Sequence, residues 1–251
     1  DNPIAYRLNN LDVTMTNICS EITLFTDEEH SFICCLSSMN LAKYEEWKDT
    51  NAVELATWFL DGVMQEFIDK SNGKDSLRRT HFHAKKGRAL GLGVMGWHTF
   101  LQQKRLPFNS ISSTAWTHTI FSDIRGKAEK ASMDLAKEYG EPLWCKGTGM
   151  RNTHLLAVAP TVSNSVIVGG ISAGIEPLPA NIYTFNGAKG TFIRKNKSLQ
   201  SILKEKGMDK DEWWDQMLQD DGSVQNLPDN VLTPDEKELF LTFPEVNQLE
   251  L

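Results

Sequence analysis

The chain has 251 residues, of which 40% are hydrophobic and 24% charged, enough for one large globular domain or two small ones. Its formal charge of −7 argues against a nucleic-acid-binding surface. No apolar run approaches the roughly 20 residues that cross a bilayer, and no signal-like start is present, so no membrane partner and a cytoplasmic location are expected.

Taken in chain order, residues 17–25 and 31–36 read as short extended stretches separated by the polar turn Thr26-Asp27-Glu28-Glu29-His30. A helix is predicted next, capped by Asn51 with Glu54 three residues on. Its apolar stripe would be Leu55, Phe59, Val63 and Phe67, and Ser71-Asn72-Gly73 would stop it. A second helix is predicted over 86–104 and a third over 113–139, ended by Gly140 and Pro142. His154-Leu155-Leu156-Ala157-Val158-Ala159 reads as a buried, parallel strand that stops at Pro160. A loop rich in hydroxyls follows over 161–172. Residues 181–185 and 191–195 flank Asn186-Gly187-Ala188-Lys189-Gly190, a hairpin signal. From Ser198 onward short helices and loops are expected, one anchored by Trp213 and Trp214, and 247–251 reads as helical. Strands mixed with long helices predict an α/β fold.

The four cysteines are Cys19, Cys34, Cys35 and Cys145. A signal-free chain of this size does not need a disulfide framework. Zinc-type spacing is missing as well, and His81 and His83 have no acidic or thiol neighbour in sequence. Reactive or redox thiols fit better. If Asn17-Ile18-Cys19-Ser20-Glu21 is extended, then Asn17, Cys19 and Glu21 share one face. A thiol, a carboxylate and a carboxamide would then converge, offering a reactive sulfur, a general base and an orienting group. A buried strand cysteine between two solvated polar residues would give the same pattern. Arg88-Ala89-Leu90-Gly91-Leu92-Gly93-Val94-Met95-Gly96 contains a literal G-x-G-x-x-G. The residues before it do not form a buried strand, so a dinucleotide-binding unit is not expected.

Taken together, several segments resemble the catalytic region of class I ribonucleotide reductase large subunits. They are Asn17-Ile18-Cys19-Ser20-Glu21-Ile22, Cys34-Cys35-Leu36-Ser37-Ser38-Met39-Asn40-Leu41, the 88–96 segment (read as a helix), Ala157-Val158-Ala159-Pro160-Thr161-Val162-Ser163-Asn164-Ser165, Gly174-Ile175-Glu176-Pro177 and Asn181-Ile182-Tyr183-Thr184. Matching pieces run from about residue 14 to about 245. The resemblance implies part of a ten-stranded α/β barrel with a central finger loop and surrounding helices. A single catalytic portion over 1–251 is expected, with the finger loop and redox strand at 14–42, helices at 51–140, the phosphate-loop strand and hairpin at 154–196, and peripheral helices at 198–251.

By the same resemblance, Cys19 would carry a thiyl radical that abstracts the 3′ hydrogen of a ribonucleotide. Glu21 would be the base for the 3′-hydroxyl, and Asn17 would hydrogen-bond the reacting sugar. Cys34 would be one thiol of the redox pair, with Cys35 a bystander. Pro160, Thr161, Val162, Ser163, Asn164 and Ser165 would cradle the substrate phosphates, with backbone N–H groups at a helix start as the physical basis. The implied reaction is reduction of ribonucleoside diphosphates. No cofactor or metal is expected on this chain, because a metal-containing small subunit would supply the radical. A thioredoxin or glutaredoxin type reductant would restore the thiols. Neither a cysteine upstream of Cys19 nor an adjacent tyrosine pair is present. The chain is therefore expected to act with the remaining large-subunit pieces, as a fragment or the product of a split gene. Two other readings are a piece of an adenosylcobalamin-dependent reductase and a noncatalytic subunit that kept the fold. Ile18 and Ser20 stand where the cobalamin class usually carries Pro and Gly.

Overall fold

A computed structural model describes residues 3–187 and 190–249. In chain order the elements are α1 (Ile4–Leu8), β1 (Cys35–Asn40), α2 (Tyr44–Trp47), α3 (Ala52–Ser71), α4 (Arg78–Gly87), β2 (Leu90–Met95), α5 (Trp97–Gln103) and α6 (Ile111–Tyr139). They continue with α7 (Val162–Ile167), β3 (Ile182–Gly187), β4 (Gly190–Lys195), α8 (Lys197–Glu205), α9 (Asp211–Gln219) and α10 (Pro234–Glu238). The fold is mixed helix and sheet, as expected. It divides into two compact units, one of Asp1–Met39, Glu45–Val94 and Thr119–Pro160, the other of Asn40–Tyr44, Met95–His118 and Thr161–Leu251.

In the first unit β1 pairs with β2. The 154–157 segment runs beside β2, bridged in parallel at Leu92 and Leu156. Leu90 and Leu92 donate to the carbonyls of His154 and Leu155, and Ala157 donates back to Leu92. The predicted parallel strand is thus a single bridge with flanking bonds, and of 154–159 only Ala157 is fully buried. The strand expected at 31–36 begins instead at Cys35 and runs to Asn40.

The helix predicted over 86–104 is not formed as one element. Helix α4 ends at Gly87, Arg88 turns in the left-handed region (φ 48°), and β2 and α5 follow. The reason is the period-two alternation of Leu90, Leu92 and Val94 with Gly91 and Gly93, in a strand buried at every position. A Cβ at Gly93 would overlap the Ala157 carbonyl, and one at Gly91 would overlap the Leu36 side chain. These glycines let neighbouring backbones approach closely. They lie inside a strand preceded by a helix, so the dinucleotide reading fails on this order of elements rather than through helix packing.

Helix α3 also differs from its predicted phase. Leu55 and Phe59 are 58% and 68% exposed, and Val63 is exposed too. The inward face is Val53, Thr57, Leu60, Asp61, Met64 and Ile68. That face buries a carboxylate, which the apolar-stripe criterion cannot select. The Asn51 side chain caps nothing. Thr50 Oγ1 accepts from Ala52 N–H instead, at 3.2 Å.

A charged clamp fastens the first unit. Arg88 Nε and Nη2 donate to the two Asp61 oxygens at 2.8 Å each, Arg151 Nε donates at 3.0 Å and Asn152 Nδ2 at 2.8 Å. Asn152 Nδ2 also reaches the Arg88 carbonyl, and Ser132 Oγ on α6 donates to Asn152 Oδ1. Burial works to raise the Asp61 carboxyl, but bonds from Arg88, Asn152 and Arg151 outweigh it and hold the group below its ordinary range. The clamp ties α3, α6 and the lead-ins to β2 and the 154–157 segment. Beside it an apolar cluster forms from Tyr6, Ile22, Leu24, Ala89, Trp144 and Ala157.

In the second unit β3 and β4 form the predicted antiparallel hairpin, with Thr184 opposite Ile193. Its tip, Ala188-Lys189, lies outside the described residues, as do Glu250 and Leu251. Trp214 is buried in a core with Leu199, Leu203, Met217, Leu232 and Phe240, and Trp213 packs against it. Trp214 Nε1 donates to Asp209 Oδ1 at 2.7 Å. Thr233 and Glu236 close a capping box at α10. Residues 247–249 are not helical. Glu245 accepts from Thr242 N–H and Oγ1, and Gln248 turns back onto the Phe243 and Val246 carbonyls. These bonds, together with Pro244, hold turns there.

Candidate active site

Asn17, Cys19 and Glu21 do not lie on an extended strand. Thr16 and Thr23 form an antiparallel bridge, and the residues between them make a narrow loop. Asn17 carbonyl accepts from Ser20 N–H at 3.1 Å, and Ser20 turns with φ 60°. Asn17 N–H donates to the Ile22 carbonyl, while Asn17 Oδ1 accepts from Ile22 N–H, both at 3.2 Å. The side chain that sequence placed beside Cys19 as a substrate contact therefore also closes the loop. Its Oδ1 is occupied, and its Nδ2 has no partner among the described residues.

Ile22 and Leu24 anchor the loop by entering the apolar cluster. Ile18 at the tip is 99% exposed and Cys19 is exposed beside it. Glu21 is half-buried, and its Oε2 is buried without a hydrogen-bond partner among the described residues. An unpartnered buried carboxylate oxygen is costly unless something else satisfies it, and a bound hydroxyl would do so.

Cys34, just before β1, packs against the same cluster. Burial, then Cys35, then Glu21 push its thiol up to about 11. The Glu21 influence places the two groups within electrostatic reach. Cys34 is therefore a neutral thiol near pH 7. The Cys35 thiol is raised by burial and next by the Asp61 carboxylate, with Arg88 opposing. Cys145 is fully buried and raised to about 12, chiefly by burial.

Sequence reasoning missed the surroundings of Cys34. Tyr6 is fully buried and its hydroxyl accepts from Phe25 N–H at 3.3 Å. Burial raises it to about 12, with Cys145 and Cys34 adding to the rise. Tyr6, Phe25, His30, His83 and His154 gather around Trp144 and one another. His81 is instead bonded to Ser71 Oγ at 2.9 Å. No sequence-local signal marks this cluster, because its members are scattered from α1 to residue 154.

The phosphate-loop candidates fall at the boundary of the units: Pro160 ends the first, and Thr161, Val162, Ser163, Asn164 and Ser165 open the second. Thr161 adopts φ 51° as the residue before α7, and its Oγ1 accepts from Gly174 N–H at 2.8 Å. The first helical bond is Ser165 N–H to Thr161 carbonyl, leaving the N–H groups of 162–164 outward, as at any helix start. Val162, Ser163 and Asn164 are exposed. Ser165 is buried, and its hydroxyl donates to the Val162 carbonyl, so it serves the turn.

A family model described as ribonucleotide reductase, barrel domain, matches residues 5–144 and 143–251. The chain belongs to that family. It is 37% identical over 246 residues to a ribonucleoside-diphosphate reductase large subunit of Invertebrate iridescent virus 3, covering 96% of this chain and 38% of that protein. A large subunit of Invertebrate iridescent virus 6 is 39% identical over 237 residues, covering 93% of this chain and 24% of the relative. Among solved structures, the Actinobacillus ureae class Id ribonucleotide reductase alpha subunit matches with a TM-score of 0.92 and 46% identity, over 99% of this chain and 46% of that one. The chain thus spans less than half the length of these relatives. The expected fold, part of a reductase barrel, is the fold it has.

Proposed function

We propose that this chain carries the catalytic cysteine loop of a class I ribonucleotide reductase large subunit, and that within the assembled subunit it reduces ribonucleoside diphosphates. The observation that carries this reading is the loop itself: an exposed Cys19 at a braced tip, with a Glu21 oxygen that is buried and, among the described residues, unpartnered.

Cys19, as a thiyl radical, would take the 3′ hydrogen of the ribose. Glu21 would accept the 3′-hydroxyl proton and Asn17 Nδ2 would hold the sugar. The 2′-hydroxyl leaves as water. Cys34 and a second thiol from outside this chain would supply two electrons and two protons and end as a disulfide, and Cys19 would return its hydrogen to C3′. A thiol raised to about 11 suits this role, since it presents S–H rather than thiolate. The outward N–H groups before Ser165, with Thr161, Ser163 and Asn164, would bind the diphosphate. A small subunit would generate the radical on its own metal centre, and a thioredoxin or glutaredoxin type protein would reduce the disulfide, in the cytoplasm. Among the described residues no helix is long and apolar enough to cross a membrane.

Reconstitution tests this: the chain is combined with the missing large-subunit segments and a radical-generating small subunit, and deoxynucleotide formation is measured. Activity lost in both Cys19→Ser and Glu21→Gln supports the proposal. Full activity in Cys19→Ser would refute it, and turnover that needed cobalamin but no small subunit would refute the class assignment.

A further inference from the structure

Within the second unit, the hairpin, the start of α8 and the Gly169–Gly170 turn line a cavity of about 280 Å³. Arg194, Lys195 and Lys197 contribute to its walls, and among the described residues no Asp or Glu does. Three cations around one cavity, in a chain of net charge −7, make a local field opposite to that of the whole.

Gly169 and Gly170 have φ 124° and 73°. A Cβ built at Gly169 would stand 3.9 Å from Lys197 Nζ, and one at Gly170 would stand 3.8 Å from Arg194 Nη1. The two cationic heads therefore face bare backbone. The N–H groups of both glycines are already bonded, to the Val166 and Ser165 carbonyls. At the start of α8, Asn196 Oδ1 accepts from Ser198 and Leu199 N–H. Those four N–H groups are thus taken, which leaves the cationic side chains as the main contacts for an anion.

Among the described residues neither Arg194 nor Lys197 has an acidic partner. Arg194 lies over the Phe185 ring at 5.4 Å. Lys195 lies over Trp214 at 4.7 Å and is 3.6 Å from an Asp211 carboxylate that is almost wholly in solvent. Tyr183 and Leu178 give the cavity an apolar wall. At about 280 Å³ the volume lies just below the roughly 300 Å³ at which ligand pockets begin, so only a small molecule fits.

We infer that this cavity binds a small phosphorylated molecule of sugar-phosphate size, its phosphoryl oxygens on Arg194 and Lys197 and its body against Tyr183. An arginine can take two phosphoryl oxygens at once, and a lysine adds a point charge. Arg194 is partly buried in the recess, while Lys197 stands exposed at its edge. The inference does not depend on the reductase chemistry, and its test needs no turnover.

The 251-residue chain is titrated with ribose 5-phosphate and with pyrophosphate, following heat and the amide signals of Gly169 and Gly170. Saturable one-to-one binding of ribose 5-phosphate at ~1 mM or tighter, with those two amides shifting, is the expected result. Arg194→Gln and Lys197→Gln should each weaken it about tenfold, the size of one charged hydrogen bond. Lys74→Gln, on another surface, should leave it unchanged. If a variant unfolds, the amide shifts of the unaltered chain decide. The inference is overturned by unsaturable binding, by unchanged affinity in both variants, or by shifts at Ser163 and Asn164 instead. Recognition of an acidic peptide but not of ribose 5-phosphate overturns it as well.

Discussion

The finger loop at 16–23 and strand β2 are both short, and they are held in opposite ways. Every residue of β2 is buried, and its two glycines admit backbones that no side chain could approach. The loop is closed by its own backbone and by Asn17, is anchored by Ile22 and Leu24, and leaves Ile18, Cys19 and Ser20 in solvent. Packing therefore constrains β2 at each position, whereas the loop tip is unpacked among the described residues. Substitutions near β2 should register as stability, and substitutions at the tip as chemistry.

The largest effects should come from the frame around β2. Asp61→Ala leaves two guanidinium groups facing a buried vacancy and should cost about 3–5 kcal/mol, the usual loss when one partner of a buried pair is removed. Gly93→Ala forces a methyl onto the Ala157 carbonyl and should cost about 3 kcal/mol, as overpacking does. Denaturant unfolding measures both. If either variant unfolds at the wild-type midpoint, the contrast with the loop is broken.

Next in size is the test of the α3 phase. Leu60→Ala should cost about 3 kcal/mol, in the range of buried leucine truncations. Phe59→Ser should stay within about 0.5 kcal/mol in the isolated chain. Equal losses would mean that the exposed stripe packs after all.

The apolar cluster should show the contrast through pH. Burial, then His30 and His154, lower His83 to about 3. Burial lowers His154 to about 4. Both values lie below the ordinary 6.5, so the unfolded chain binds protons that the folded chain refuses, and stability falls as pH drops below 6.5. Each fully buried histidine loses up to about 1.4 kcal/mol per pH unit in that window. Going from pH 6.5 to 5.5 should therefore cost about 1–2 kcal/mol for the pair, since His154 is only half-buried. A melting temperature flat across that interval would contradict the assigned burial. His83→Phe should flatten part of the slope.

What could be read in advance follows the same division. The proposed set of Asn17, Cys19, Glu21 and Cys34 could be named from the sequence because its members sit in short runs whose order and spacing carry the resemblance. The hairpin and the ends of α3 and α6 were legible too, since turn and stop residues act locally. The phase of α3 was not. Asp61 is buried because Arg88, Arg151 and Asn152 reach it from 27, 90 and 91 residues away, and no local periodicity reports that. Strand β2 was misread as helix, although Leu90, Leu92 and Val94 alternate with glycine, because a short buried apolar run satisfies either period. Extension at Cys19 was misjudged because a left-handed Ser20, unlike a left-handed glycine, leaves no mark in the sequence.

The smallest expected effect separates the two jobs of Asn17. Its Oδ1 closes the loop on Ile22 N–H, while its Nδ2 is the donor proposed for the sugar. Asn17→Ala removes both and should lower stability by about 0.5–1 kcal/mol, the net value of a partly exposed hydrogen bond. Asn17→Asp keeps an acceptor for Ile22 and loses only the donor. It should melt within a degree or two of the unaltered chain, yet lose most of the activity in the reconstituted enzyme. A second carboxylate beside Glu21 would also be unwelcome there, so Asn17→Ser, with a hydroxyl donor, separates a missing donor from added charge. If Asn17→Asp retained full activity, Asn17 would be a brace for Cys19 and nothing more, and the loop would differ from β2 only in exposure.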